Sequence, residues 1–229
     1  EINDLFKKCK KMYRISNKSL WKTMNRIIVT KKDDKIITCK YDDFTLNRIS
    51  VADEKEESIL ENIYVAKVKN IVKNIEAAFV EIANGTKCYL ELRELRNPIF
   101  LNEKKNDKIV EGDEILVQVV KDIQQTKAPV VTTSFGIKSD NLILTHGKNN
   151  IGISNKIVDD KDRNRLKTLF KPYKNDNYGY VVRTSAKDVS DEDIIEEKED
   201  LAKKYTDIIS KATYATCFSC VYTTPPTFI

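Results

Sequence analysis

The chain has 229 residues with 41% hydrophobic and 33% charged side chains, a balance that predicts a globular protein of one large or two small domains. It contains no run of about 20 apolar residues, which excludes a typical membrane-spanning helix, and its single histidine, His146, disfavours a multi-histidine metal site. The net charge of +5 is mildly basic, but residues 5–32 carry ten Lys and Arg and no acid, whereas residues 191–200 carry seven acids and one Lys. We expect a phosphate-bearing partner to approach the first segment and avoid the second.

The five cysteines are widely spread and no secretion signal is recognisable, so we expect a reducing, cytoplasmic environment. Two of them, Cys217 and Cys220, form a lone C-x-x-C pair. Because there is no second pair, this spacing predicts small buried residues near a helix end rather than a zinc site.

In chain order, the first predicted segment is a basic extension over residues 1–23, which either contacts nucleic acid or is an extension without a binding role. A hairpin follows, with strands at Arg26–Thr30 and Lys35–Lys40 and a third strand near Phe44–Ile49. An acidic stretch over 53–57 then leads into the next region as a surface connection.

Residues 61–133 alternate between apolar and polar side chains in short runs separated by polar turns, which predicts a small closed β-barrel. Ala83–Gly85 forms one of these turns, and residues 93–113 are predicted to form a long loop. Lysines interleave with Phe79 and Tyr89, whose rings would stack on bases while the ammonium groups pair with phosphates. The pattern favours a single-stranded nucleic-acid face, although the same alternation is compatible with Phe79 in the barrel core.

Beyond residue 133 the pattern changes to mixed strands and helices. Strands are predicted at Asn141–Thr145, Gly152–Ile157 and Tyr178–Arg183. A mixed α/β region therefore follows the barrel.

Two helices are predicted among these strands. Asp159 or Asp160 caps the first, which extends to Phe170, and Ser190 followed by Asp193 marks the start of the second, which runs to about residue 211. The acids in its first turns suit the positive end of the helix dipole, so they favour a solvated helix start over a magnesium site. One face of this helix is apolar at helical spacing: Ile194, Leu201, Tyr205, Ile208 and Ala212.

Several blocks together resemble the ribonuclease E/G family of bacterial endoribonucleases, from residue 24 to about residue 229. The most specific is Ile75–Val80 (IEAAFV), followed at the family's spacing by a GDE and LVQV strand, a Thr-Thr pair and an Arg-Thr pair. Each block alone would be a weak signal, and the combination is specific. The blocks are Asn62–Tyr64, Ile75–Val80, Gly112–Glu114, Leu116–Val119, Lys127, Thr132-Thr133, Gly152–Ser154 and Val182–Thr184.

The resemblance implies an α+β fold in three pieces after the extension at 1–23. Residues 24–57 are the first strands of a ribonuclease-H-like subdomain, 58–133 an OB-fold RNA-binding barrel of the ribosomal S-one type, and 134–229 a mixed α/β 5′-sensor region with a long helix. The nuclease subdomain with two magnesium-binding aspartates, and the cysteine zinc link between subunits, are expected beyond residue 229. The parent is thus expected to be an Mg²⁺-dependent endoribonuclease, and this fragment to bind no metal and cut no RNA.

The resemblance assigns the 5′-monophosphate of RNA to Arg183 and Thr184. A guanidinium fork and a hydroxyl can together donate several hydrogen bonds to a phosphate. Two further sensor positions of the family fall on Ser139, where the family has a glycine, and on Ile143, which is also expected to be a core residue of its strand.

On the barrel, Phe79 and Tyr89 fall where the family stacks RNA bases, and Lys127 falls on an RNA-contacting lysine. Two departures affect the expected groove, since Cys88 and Pro129 stand where the family has small residues. Further charge toward the RNA backbone is expected from three lysines that are otherwise ordinary solvated barrel residues: Lys67, Lys69 and Lys121.

The sequence therefore predicts the RNA-binding portion of an endoribonuclease of RNA processing and decay. The expected partner is single-stranded RNA and not a membrane, with a homo-oligomeric parent and a monomeric fragment. One alternative is a stand-alone OB-fold RNA-binding module, associated with translation or the ribosome and lacking nuclease activity. A second is a protein-interaction scaffold whose barrel has lost RNA binding.

Overall fold

A computed structural model describes residues 26–32, 35–42, 45–53, 58–104, 108–122 and 127–224. The chain divides into two compact units, of which the larger spans Ser58–Pro225 and the smaller contains the residues before Ser58. The expectations for the extension at 1–23, the hairpin turn at 33–34 and most of the acidic connection lie outside the described residues.

The smaller unit contains an antiparallel sheet of three strands in the order β1-β2-β3. The strands are β1 (Arg26–Lys32), β2 (Lys35–Asp42) and β3 (Thr45–Asp53), which confirms the predicted hairpin and third strand. One face is apolar because Ile28, Cys39 and Ile49 are direct cross-strand neighbours. Every second residue of a strand lies on the same face, so alternate apolar residues in the sequence produce this apolar face.

The larger unit begins with a closed barrel of five strands: β4 (Ile63–Val72), β5 (Ala77–Glu81), β6 (Lys87–Glu91), β7 (Glu114–Lys121) and β8 (Val130–Thr132). They pair in the order β4-β5-β6-β8-β7, and β4 closes on β7. β6 and β8 are parallel, whereas the other neighbouring barrel strands are antiparallel. This is the OB fold, as the sequence predicts.

The turn between β5 and β6 lies where it was predicted, at Ala83–Gly85. Asn84 and Gly85 adopt positive φ values of 59° and 72°, a conformation that both residue types tolerate. Alternate residues of each strand then fill the barrel core, including Val68, Val80 and Leu90. Burial of these aliphatic side chains is the main force that closes the barrel.

The long loop between β6 and β7 is held by one buried carboxylate. Asp113, which is 3% exposed, accepts hydrogen bonds from the Lys104 ammonium, the Asn102 side chain and the Val110 N–H. The Lys104 ammonium also lies 4.1 Å from the centre of the Phe100 ring. Burial alone raises the pKa of Asp113, but these hydrogen bonds outweigh it, so the pKa is lowered and the carboxylate stays charged.

The remainder of the unit is a four-stranded sheet with two helices. The strands are β9 (Gly136–Lys138), β10 (Leu142–His146), β11 (Ile151–Ile153) and β12 (Tyr178–Val182), in the order β11-β12-β10-β9. The helices are α1 (Asp160–Phe170) and α2 (Asp191–Tyr214), and a last short strand, β13 (Cys220–Tyr222), pairs with β4.

Both helix starts are confirmed. The Asp159 carboxylate accepts from the N–H groups of residues 161 and 162, and the Ser190 hydroxyl oxygen accepts from the Asp193 N–H. The predicted apolar face of α2 is entirely buried. It shares one core with barrel residues Ile63 and Val65, so the barrel and the mixed region fold as a single body.

Gln118 adds a polar link between the barrel and β9. This buried side chain donates to the carbonyls of Glu61 and Gly136, both at 2.9 Å, and accepts from the Gly136 N–H at 2.8 Å. Each polar atom of the amide is therefore paired, as burial requires.

Two predictions about this region are wrong. β11 ends at Ile153 instead of Ile157, because the chain turns at Ser154 and Arg163 donates to the Ser154 and Ile157 carbonyls at 2.9 Å each. Cys220 was expected to be buried, but it lies exposed on β13, while Cys217 is half-buried. Among the described residues, no helix is both long and apolar enough to cross a membrane.

Candidate nucleic-acid interface

A row of cross-strand neighbours crosses the outer face of the barrel. Asn70 lies opposite Phe79, Phe79 opposite Tyr89, Tyr89 beside Val130, and Val130 opposite Lys121. Side chains that are direct neighbours on one face interact across a sheet. The row therefore brings two aromatic rings, an amide and an ammonium together on five adjacent strands.

Phe79 and Tyr89 form the centre of this row. Both are half-buried, and their ring centroids lie 6.1 Å apart at an interplanar angle of 76°. The alternative position of Phe79 in the core is wrong, because its neighbours Ala78 and Val80 occupy the core and direct Phe79 outward. Two adjacent, accessible ring edges and faces offer a surface on which bases can stack.

The predicted lysines differ in their surroundings. Lys121 and Lys127 are exposed, and Lys127 precedes Pro129, whose carbonyl accepts the Tyr89 N–H at 2.8 Å. Lys67 is half-buried, and its ammonium lies 3.7 Å from the Glu114 carboxylate. The charge of Lys67 is therefore partly compensated within the protein.

Cys88 and Pro129, the two departures from the family pattern, are both buried residues next to this row. Cys88 lies inside the barrel core, where burial raises the pKa of its thiol to about 12. Pro129 is buried, and its carbonyl extends the pairing between β6 and β8.

A second cluster surrounds Arg183, which follows β12 directly. The Arg183 Nη1 donates to the backbone carbonyls of Ser139 at 2.6 Å and Asp140 at 2.9 Å. The Ser185 hydroxyl donates to the same Asp140 carbonyl at 2.8 Å, and the Thr184 and Ser154 hydroxyl oxygens are 3.1 Å apart. The structure thus brings the Arg183 side chain beside Ser139 and the Thr184 hydroxyl beside Ser154.

Ser139 and Ile143 have separate positions in this cluster. The Ser139 N–H and hydroxyl both donate to the Leu142 carbonyl, at 2.9 and 3.1 Å, which closes a tight turn between β9 and β10. Ile143 lies on the outer face of the sheet, opposite Lys138 and Val181, and is half-buried. The expectation that Ile143 is also a core residue is wrong, because Leu142 and Leu144 take the core side.

The residues that sequence reasoning missed are Asp140, Ser154 and Ser185. Ser154 belongs to the Gly-Ile-Ser block and Ser185 directly follows the Arg-Thr pair, so both were visible as neighbours of recognised motifs. Asp140 contributes its backbone carbonyl, and a role of the backbone cannot be predicted from the residue type. Within the described ranges, no three His, Cys, Asp or Glu residues gather as a metal site.

The chain matches two family models that together span most of it. Residues 59–134 match the S1 RNA binding domain, and residues 136–229 match the Ribonuclease E/G family. The first match covers the barrel, and the second covers the mixed region with the Arg183 cluster.

Individual ribonucleases are also similar to this chain in sequence. The chain is 27% identical over 176 residues to Ribonuclease G of Salmonella typhimurium, covering 72% of this chain and 36% of that protein. It is 25% identical over 190 residues to Ribonuclease G of Haemophilus influenzae, covering 79% and 39%. It is 29% identical over 148 residues to Ribonuclease E of Synechocystis, covering 63% and 22%.

This chain therefore spans well under half the length of the curated relatives that it matches. The two family matches, the OB-fold barrel and the similarity to several ribonucleases G and E agree with one another. In both of its matched regions the chain is therefore similar to members of the ribonuclease E/G family.

Proposed function

We propose that this chain is the RNA-binding part of a ribonuclease E/G-type endoribonuclease, in which the barrel holds single-stranded RNA and the Arg183 cluster recognises a 5′-monophosphate. The observation that carries the proposal is the outward pair of Phe79 and Tyr89, at the centre of a row that ends in Lys121. The match to an RNA-binding domain model over 59–134 supports it independently.

On the barrel, bases stack on the two rings and phosphates approach the exposed lysines. Each stacked base contributes ~1–3 kcal/mol, and stacking discriminates little between bases because every base has a π face. Lys121 and Lys127 supply charge on the β7–β8 side of Tyr89, and Lys67 supplies less because Glu114 already pairs with it. This arrangement suits a flexible single strand whose bases are accessible.

At the second cluster, Arg183 is the principal phosphate ligand and Thr184 adds a hydroxyl. A guanidinium carries five N–H donors in a rigid fork, so anchoring Nη1 on two carbonyls fixes the orientation of the others. Ser139 and Ile143 border the phosphate and the first nucleotide in this proposal. A 5′-hydroxyl end offers no anion to this fork, which would make the cluster selective for phosphorylated ends.

In this proposal, a part of the parent protein outside this chain carries out catalysis. The parent hydrolyses RNA internally with Mg²⁺, acts in RNA processing and decay in the cytoplasm, and assembles as a homo-oligomer. In this proposal the ligands of that magnesium belong to another part of the parent. We expect the purified chain to bind RNA without cutting it.

The test compares one short RNA with a 5′-phosphate and the same RNA with a 5′-hydroxyl, by fluorescence anisotropy. The chain is expected to bind the first more tightly, and Arg183→Ala to remove that preference. Lys187→Ala is the matched control, because it removes the same charge from an exposed residue four positions away. Equal affinities of the unmodified chain for the two RNAs would refute the phosphate proposal, and the absence of binding to either would refute the barrel proposal.

A further inference from the structure

The turn between β9 and β10 is fixed by a carboxylate from a distant element. Glu197, in the second turn of α2, accepts from the Asn141 backbone N–H at 2.7 Å through Oε1 and from the Asn141 side-chain amide at 2.8 Å through Oε2. Asn141 thus contacts both carboxylate oxygens, in a two-point contact that restrains position and rotation.

The same turn holds the phosphate-binding donors. The carbonyls of Ser139 and Asp140 accept from the Arg183 guanidinium, and Asp140 also accepts from Ser185. The Asn141 carbonyl accepts the Arg183 backbone N–H at 2.8 Å. A continuous series of hydrogen bonds therefore runs from Glu197 through residues 139–141 to both the backbone and the side chain of Arg183.

Glu197 is half-buried and remains ionised in this position. Burial alone raises the pKa of a carboxyl, but hydrogen bonds from Ser139 and Asn141 outweigh it and lower the pKa of Glu197. An acid this close to an anion site would normally repel the anion. Here its lone pairs are occupied by N–H donors of the turn, which is the arrangement expected of a supporting residue rather than a ligand.

We propose that Glu197 is a positioning residue for 5′-phosphate recognition, acting through the turn at 139–141 without touching RNA. This inference rests on the proposed function of the Arg183 cluster. A fork that binds phosphate at two points must be held within about 0.5 Å of its productive position, and the turn is what holds it. Loss of the Glu197 contact leaves Arg183 present but no longer oriented.

The decisive variant is Glu197→Gln, which keeps shape but places an amide NH₂ against the Asn141 NH₂. We expect it to lower the ratio of affinities for 5′-phosphate over 5′-hydroxyl RNA by about tenfold, the effect of one hydrogen bond to a charged group. Affinity for 5′-hydroxyl RNA is expected to stay unchanged, since the barrel is untouched. Glu196→Gln is the control, because it removes the same charge from the exposed neighbouring residue.

A rescue variant separates positioning from general destabilisation. Combining Glu197→Gln with Asn141→Asp restores a donor opposite an acceptor and returns the net charge to its original value. We expect this double variant to recover most of the preference, and the amide of residue 141 to regain the protection from hydrogen exchange that Glu197→Gln loses.

The outcomes distinguish this inference from the function on which it rests. If Glu197→Gln keeps the original preference while Arg183→Ala loses it, the positioning role is wrong and the proposed function stands. If the double variant loses the preference for 5′-phosphate RNA as much as Glu197→Gln alone, the pairing of residues 197 and 141 does not cause the loss. The inference then fails. If the unmodified chain shows no preference, the proposed function fails first and this inference with it.

Discussion

His146 offers a test of the packing that joins the barrel loop to the mixed region. The ring is 3% exposed and is stacked on Phe135 at 4.8 Å between centroids. Its Nε2 lies 2.7 Å from the Asn97 carbonyl oxygen, which can only accept, so Nε2 must carry a proton. Nδ1 then accepts from the Tyr205 hydroxyl at 2.9 Å, and the neutral ring is fully paired.

Protonation of this ring should therefore destabilise the fold. Burial lowers the pKa of His146, against a smaller opposite effect of the Asn97 carbonyl, whereas in the unfolded chain the pKa is ~6.5. Below that pH the His146 imidazole is protonated in the unfolded chain but remains neutral in the folded chain. The free energy of unfolding is expected to be constant above about pH 7 and to fall below ~6.5, with a slope of at most ~1.4 kcal/mol per pH unit.

Urea unfolding followed by circular dichroism between pH 7.5 and about pH 5.5 measures this slope. His146 is the single histidine of the chain, so His146→Gln removes all imidazole titration while keeping a donor and an acceptor. Asp113 and Glu197 have lowered pKa values and lose charge only at lower pH. A flat stability profile of the unmodified chain, or an equal slope in His146→Gln, would refute the argument.

Three further predictions concern the barrel. Asp113→Ala should lower the free energy of unfolding by ~3–5 kcal/mol, because it leaves the Lys104 ammonium, whose side chain is only 11% exposed, without its carboxylate. Tyr89→Ala should weaken single-stranded RNA binding by ~1–3 kcal/mol through loss of stacking, as measured by anisotropy. Lys127→Gln should reduce the salt dependence of RNA binding by ~0.7 in the log–log slope, and Lys67→Gln by less because Glu114 compensates its charge.

The predictions for Asp113 and for the lysines each have a control in the same chain. Glu103→Gln removes an exposed acid from the loop that Asp113 holds and should leave stability unchanged, so an equal loss in both variants would count against the buried pair. Lys203→Gln removes an exposed lysine from α2 and should not alter the salt slope. Equal slopes for Lys67→Gln and Lys127→Gln would contradict the role given to Glu114.

Local signals predicted the helices and barrel strands well. Asp159 caps α1, and Ser190 with Asp193 begins α2, because capping depends on residues within one turn of each other. The positive φ values at Asn84 and Gly85 likewise follow from the residue types alone. Such features require no knowledge of the rest of the fold.

Features that depend on distant pairing were harder to predict. β4 contains a bulge between Val68 and Asn70, so Asn70 and not Lys69 lies opposite Phe79, and strict alternation fails there. β11 and β13 have three residues each, too few to show a period. The contact of Glu197 with Asn141 joins residues 56 positions apart, and neither residue is unusual in its own segment.

The pairing of β13 with β4 brings the two ends of the larger unit together. Tyr222 lies opposite Ile63, and the Thr224 N–H donates to the Asn62 side chain at 2.9 Å, so the first and last strands of the larger unit run side by side. A body whose two ends meet can be spliced into a surface loop of a host domain without stretching either. The two ends of Ser58–Pro225 thus lie together, which is the geometry expected of a segment inserted into a loop of another domain.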